Sequence, residues 1–187
     1  MSTYRAALDA GMKLNINMVT MSGLNEEDIV PMAMLTKHDP VTVRYIEEMP
    51  FNGVGEREKG SELNYKDIIA IVKHAIPQLK ELPRGIGSTS TLYQIEGHQG
   101  KIGVIPAWSR TFCSDCNRIR VTAKGEMKNC LYDGGILNLK QLLTNGASDD
   151  MIREEIRRGY SKKFKNGHEA EASRAENVSE SMSTIGG

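Results

Sequence analysis

The sequence lacks any imbalance of charge: 24 lysines and arginines meet 24 aspartates and glutamates in 187 residues. Without a global positive field, binding to a nucleic-acid backbone is not favoured, though local basic sites for a small anion stay open. A long apolar run is also missing. No stretch approaches the roughly 20 residues that cross a bilayer, and the opening MSTYRAALDAGMK has no apolar core of the kind a signal peptide needs. These absences predict a cytoplasmic chain with neither membrane nor nucleic-acid partner. In the cytosol thiols stay reduced. Three cysteines, an odd number, also argue against a disulfide framework. No segment repeats at a fixed period, which excludes solenoids.

What is present suffices for one domain with a core, or for one and a half small ones. Apolar residues make up 39%, ordinary for a globular chain. Tyr4, Ala7 and Leu8 can share a helical face, and Gly11 stops that helix. Residues 13–21 alternate as a strand. Asn25 followed by Glu26, Glu27 and Asp28 reads as a helix N-terminus running to about Leu35. Val41 to Ile46 is β-branched and aromatic, a second strand. This alternation predicts a parallel α/β unit. Residues 51–61 form a polar, Gly-rich loop, and Asn64 to about Gln78 is helical. After Pro83, strand-like runs at 91–96, 101–105, 117–123 and 127–132 are separated by turns and read as antiparallel. Helices are expected over 138–144 and 149–165, the second capped by Asn166-Gly167. From His168 onward the chain is polar and is expected to be a flexible tail. The implied divisions are 1–83, 84–167 and 168–187. Two parallel strands cannot bury both faces of a sheet, so further strands come from elsewhere, or the chain is the later part of a larger protein.

The segment FCSDCNRIRVTAKGEMKNC places Cys113, Cys116 and Cys130 in the spacing C-x2-C-x13-C. Two cysteines two residues apart can turn both sulfurs toward one centre, and a third can arrive from the next strand of a hairpin. Structural zinc takes four protein ligands. With no fourth cysteine in the chain, His98 or Asp115 would have to complete such a site. A 4Fe–4S cluster on three cysteines would leave one iron open to an external ligand. The spacing does not decide between the two. A redox pair lacks a thioredoxin-like setting, and small buried cysteines would not need this pattern. Arg118 and Arg120 follow at alternating positions, on one side of a strand. Two guanidiniums there suit an anionic substrate such as a phosphate ester, although a solvated strand face looks the same in sequence.

At these residues the chain resembles the C-terminal part of the GTP 3′,8-cyclase (MoaA) family, radical-SAM enzymes of molybdenum cofactor biosynthesis. The likeness rests on FCSDCNRIRVTAKGEMKNCL, on GMKLN (11–15), SGLN (22–25) and VRYIEEMP (43–50), and on the final Gly186-Gly187. The resemblance implies the later part of an incomplete TIM-like barrel, followed by an α+β C-terminal region that binds a cluster. Cys113, Cys116 and Cys130 would hold a 4Fe–4S cluster whose open iron takes the purine of GTP. Arg118, Ile119 and Arg120 match the family's GTP-binding segment, Lys13 a GTP-binding lysine, and Arg44 would join that pocket. Met49 matches a position that contacts S-adenosylmethionine, and Gly186 and Gly187 would support catalysis. In the complete enzyme, a radical made from S-adenosylmethionine takes the ribose 3′ hydrogen of GTP, and the sugar radical then closes on guanine carbon 8.

The family's other cluster sits on a C-x3-C-x2-C motif near its N-terminus, which this sequence does not contain. The expectation is therefore one half of the activity, inactive alone, with an N-terminal radical-SAM half as partner and a homodimer left open. Two rivals remain: a non-catalytic cluster-carrying nucleotide-binding module and a zinc-stabilised structural domain.

Overall fold

The computed structural model describes residues 2–49, 63–85, 87–109 and 116–173. The expected loop at 51–61, Cys113, Asp115, Gly186 and Gly187 lie outside the described residues. Two compact units form. Of the described residues, those up to 109 belong to the first and those from 116 to the second. No helix among the described residues is long and apolar enough to cross a membrane.

The first unit runs α1 (Ser2–Asp9), β1 (Asn15–Thr20), α2 (Ile29–Met34), β2 (Thr42–Glu47), α3 (Tyr65–Ala75), β3 (Leu79–Glu81), β4 (Thr91–Ile95) and β5 (Lys101–Ile105). Its five strands lie in the order β1-β2-β5-β4-β3. β1, β2 and β5 are parallel, whereas β4 and β3 run antiparallel to their neighbours. The third parallel strand thus comes from beyond Pro83. The change of character at Pro83 marks a reversal of strand direction inside one sheet, and the first unit extends past it.

Alternation sorts the faces of this sheet. Val43 and Tyr45 of β2 and Ile102 and Val104 of β5 are buried with Ile29 and Ala33 of α2 and Ile68 and Val72 of α3. Burial of each large side chain of this set contributes about 1.5–3 kcal/mol. Tyr45 donates from its hydroxyl to the Ile29 carbonyl (2.6 Å), and its burial pushes the phenol pKa above the ordinary value. The opposite face carries Asn17, Arg44 and Gly103, aligned across three strands.

Local signals explain the helix ends. The Asn64 side chain accepts from the Lys66 and Asp67 amides, and Asp67 accepts in return from the Asn64 amide, which closes a capping box on α3. The helix stops at Ile76 because Pro77 disfavours helical backbone in the residue before it. Asn25 does not cap α2. Its Oδ1 accepts from the Met21 amide (2.8 Å) and its Nδ2 donates to the Val19 carbonyl (2.9 Å), so it closes the loop that leaves β1.

Gly100 sits where no side chain fits. A Cβ there would run into the Val41 carbonyl oxygen and come within 2.8 Å of the Asp39 carbonyl oxygen. The Gly100 amide meanwhile donates to the Thr36 carbonyl (2.9 Å), and the His98 ring meets the Thr36 hydroxyl at 2.8 Å. Burial lowers the His98 pKa, with Lys37 and His38 adding to the effect. We expect Gly100→Ala to cost about 3 kcal/mol, since backbone atoms must move. A urea midpoint unchanged from that of the parent chain would refute this.

The second unit runs β6 (Arg120–Val121), β7 (Glu126–Lys128), β8 (Leu137–Asn138), α4 (Leu139–Thr144), α5 (Asp149–Ser161) and α6 (Gly167–Ala172). Its three strands are antiparallel in the order β6-β7-β8. The β6–β7 turn needs glycine at Gly125, which has φ +80° and whose added Cβ would lie 2.6 Å from Lys140 Cβ. Several expectations change here. Strand pairing is shorter than the runs at 117–123 and 127–132, and β8 precedes α4. Helix α5 ends at Ser161. Asn166 does not cap α5 but starts α6, its Oδ1 accepting from the Glu169 amide (2.9 Å). An Asn-Gly pair suits either role, because Asn accepts at a helix start and Gly relaxes a helix end. The tail expected from His168 thus begins as helix, with Ala170 fully buried.

Candidate metal and anion site

The cysteines are placed by the β6–β7 hairpin. Cys116 lies four residues before β6, and Cys130 two residues after β7, so both stand at the end of the hairpin opposite the Gly125 turn. Both are half-buried and neither closes a disulfide.

Four side chains fix the backbone around Cys130. The Asp133 carboxylate, only 1% exposed, accepts through Oδ2 from the Asn129 and Cys130 amides (both 2.7 Å). Its Oδ1 accepts from the Gly135 amide (2.9 Å). One carboxylate thus folds the bend that presents the thiol. The fully buried Lys128 donates to the Asp133 carbonyl (2.9 Å). Lys163, just past α5, donates through Nζ to the Arg118 carbonyl (2.6 Å) and to the Asn129 carbonyl (2.7 Å). Those carbonyls belong to the residue two after Cys116 and the residue just before Cys130. The Asn129 side chain ties the same place to α5, its Nδ2 donating to the Gly159 carbonyl (2.8 Å).

Arg118 and Ile119 are exposed and Arg120 is half-buried on β6, opposite Lys128. In the first unit, Arg44 donates from Nε to Asn17 Oδ1 (2.8 Å). A Cβ on Gly103 would come within 3.0 Å of Arg44 Cγ, so that glycine makes room for the arginine stem. Lys13 is exposed, and the alternation of β1 continued back two residues gives it the parity of Asn15 and Asn17, the face that carries Arg44. Met49 is half-buried just past the carboxyl end of β2. Arg44 and Glu47 lie on opposite faces of β2.

Glu47 has another task. It is 1% exposed and accepts through Oε1 from the Tyr65 amide and the Ser109 hydroxyl (both 2.6 Å) and through Oε2 from the Ser109 amide (2.6 Å). It joins the end of β2 to the start of α3 and to the segment that leads toward Cys113.

The family description "Molybdenum Cofactor Synthesis C" matches residues 41–169. The chain belongs to this family. "Molybdenum cofactor biosynthesis protein 1" of Dictyostelium discoideum is 36% identical over 178 residues, which cover 94% of this chain and 28% of that protein. The protein of the same name from Homo sapiens is 36% identical over 153 residues, 81% of this chain and 24% of that one. "GTP 3′,8-cyclase" of Syntrophomonas wolfei is 38% identical over 144 residues, 75% of this chain and 43% of that enzyme. The chain therefore spans from about a quarter to under a half of these relatives.

In this Molybdenum Cofactor Synthesis C chain, a thiolate-bound group fits the residues described. Two thiols outside any disulfide stand at one end of a braced hairpin, and Asn129 Oδ1, a buried acceptor next to Cys130, has no hydrogen-bond partner. Among the described residues no three metal-ligating side chains gather, Cys113 being outside them. Sequence reasoning missed Asp133, Lys163 and Glu47. Asp133-Gly-Gly carried a turn signal that could have pointed to the first. Lys163 looked like an ordinary lysine near a helix end, and Glu47 like a surface acid beside Glu48.

Proposed function

We propose that this chain is the C-terminal half of a GTP 3′,8-cyclase, which holds GTP beside a 4Fe–4S cluster on Cys113, Cys116 and Cys130. The observation that carries this reading is the braced hairpin, which sets Cys116 and Cys130 at one end with the Asn-Arg-Ile-Arg segment between them. Family membership and the named relatives support it. The three parallel strands β1, β2 and β5 support reading the first unit as the later part of a TIM-like barrel, and 84–167 as containing the cluster region. The N-terminal half, with the C-x3-C-x2-C motif, would make the radical from S-adenosylmethionine, whether it belongs to the same longer chain or to a separate one.

Cys113, Cys116 and Cys130 would hold the cluster, which when bound would supply iron to engage the guanine base. The work of the chain's own residues is binding and orientation. Arg118 and Arg120 flank Ile119 and would neutralise triphosphate oxygens; the family resemblance also assigns GTP binding to Lys13 and Arg44. Met49 contacts S-adenosylmethionine. On the family resemblance, Gly186 and Gly187 would support catalysis. Holding the ribose in one orientation is where such a half accelerates the reaction.

The test is anaerobic reconstitution. A brown chain with about three to four irons that binds GTP, and yields the cyclised nucleotide when mixed with the N-terminal half and S-adenosylmethionine, is the expected result. A colourless chain that takes zinc and ignores GTP would overturn the reading. Tight GTP binding without product in the mixture would leave a nucleotide-binding module. Arg118→Ala is expected to weaken GTP by roughly 1.5–3 kcal/mol, one charge-assisted contact, with iron content unchanged. A loss of a few tenths, read by calorimetry, would make Arg118 a solvated residue.

A further inference from the structure

We infer that Lys163 is a positioning residue for the cluster, clamping the two cysteine-bearing segments together through their carbonyl groups. This rests on the cluster reading above. Strands β6 and β7 pair at two positions, Arg120 with Lys128 and Val121 with Met127, and beyond these lies the open end of the hairpin. That end carries Cys116 and Cys130. The Lys163 ammonium bonds at once to the Arg118 carbonyl at 2.6 Å and the Asn129 carbonyl at 2.7 Å. The two oxygens can therefore lie no farther apart than these two bonds laid end to end. Two carbonyl dipoles aimed at one point repel unless a cation stands between them, and Lys163 is that cation. Its own position is held from α5. The ammonium lies 5.8 Å from the Tyr160 ring centre, and Asn129 is bonded to the Gly159 carbonyl. The helix end, the ammonium and the residue before Cys130 form one connected set.

The consequence is mechanical. Cluster ligands need their sulfurs held in place before iron arrives, and groups behind the ligands typically alter metal affinity by roughly ten- to a hundred-fold. Lys163 does this without touching the metal. In sequence it sits 33 residues from Cys130, which is why the cysteine motif does not include it.

The test compares reconstituted wild-type chain with K163M, which keeps a similar apolar stem without the ammonium, and K163R, which keeps charge and donors. Iron release to a ferrous chelator and the electron paramagnetic resonance spectrum of the reduced cluster are measured, together with the melting temperature of each iron-free chain. K163M is expected to release iron at least about tenfold faster with a shifted or broadened resonance, and K163R to restore both. A lysine with only a structural part would lower the iron-free melting temperature of K163M and leave the resonance of the loaded form unchanged; that result overturns the inference. Should K163M lose its native circular dichroism, K163Q is read in its place, and wild-type release rates there also overturn it. A wild-type chain that binds no iron instead removes the cluster reading itself.

Discussion

Cys116→Ser is expected to empty the chain of iron. Reconstituted wild type should carry about three to four irons and absorb as a brown protein, whereas the variant should be near colourless. The sequence holds three cysteines and no spare, so a lost thiolate has no replacement. A serine hydroxyl stays protonated near neutral pH and is a poor ligand for iron. The fold should survive, because the bend at Cys130 is made by Asp133 and the clamp by Lys163, neither of which bonds the Cys116 side chain. Iron-free variant and iron-free wild type should then melt together. GTP affinity should fall with the iron, because the base has lost its seat while Arg118 and Arg120 remain. Full iron loading in the variant would place the cluster ligands elsewhere. Unchanged GTP affinity in an iron-free variant would separate the nucleotide pocket from the metal.

Glu47→Leu is expected to destabilise the first unit by roughly 3–5 kcal/mol, because it leaves three part-buried donors without their acceptor. The Tyr65 amide, the Ser109 amide and the Ser109 hydroxyl all end on that carboxylate, which is itself 1% exposed. Against a typical total of 5–15 kcal/mol, this is a large share. Glu47→Gln keeps one carbonyl oxygen but turns amide hydrogens toward donors, so it should fall between the parent and the leucine variant. Urea unfolding of the iron-free chain reads both. The Tyr65 amide opens α3, so the helix loses a favourable negative charge at its start as well as a bond. A leucine variant with a parental urea midpoint would show that the carboxylate contributes no net stability.

Several elements were legible because their signals are local. Asn64 with Asp67 three residues on announces a capped helix, and α3 begins there. Alternation in 13–21 and in 41–46 announces strands, and β1 and β2 formed. Other signals were ambiguous in one dimension. Asn25 and Asn166 each carry an acceptor that can serve a helix or a loop, and the choice depends on which amide lies near once the chain has folded. The three-residue β3 and two-residue β8 have too little sequence for a period to show.

The sequence by itself determined the chemistry on offer: three cysteines at ligand spacing, an arginine pair between them, and a composition with no net charge to spread. Residue type and short spacing are written in the chain, and they suffice to name thiolates, guanidiniums and a capped helix. Only the tertiary structure decided what holds those groups. Lys163 reaches the cysteine segments, Glu47 gathers Tyr65 and Ser109, and Gly103 yields space to Arg44 through contacts between distant residues. Such contacts depend on strand register and on where a helix ends, and no local pattern encodes a hydrogen bond that spans thirty or sixty positions.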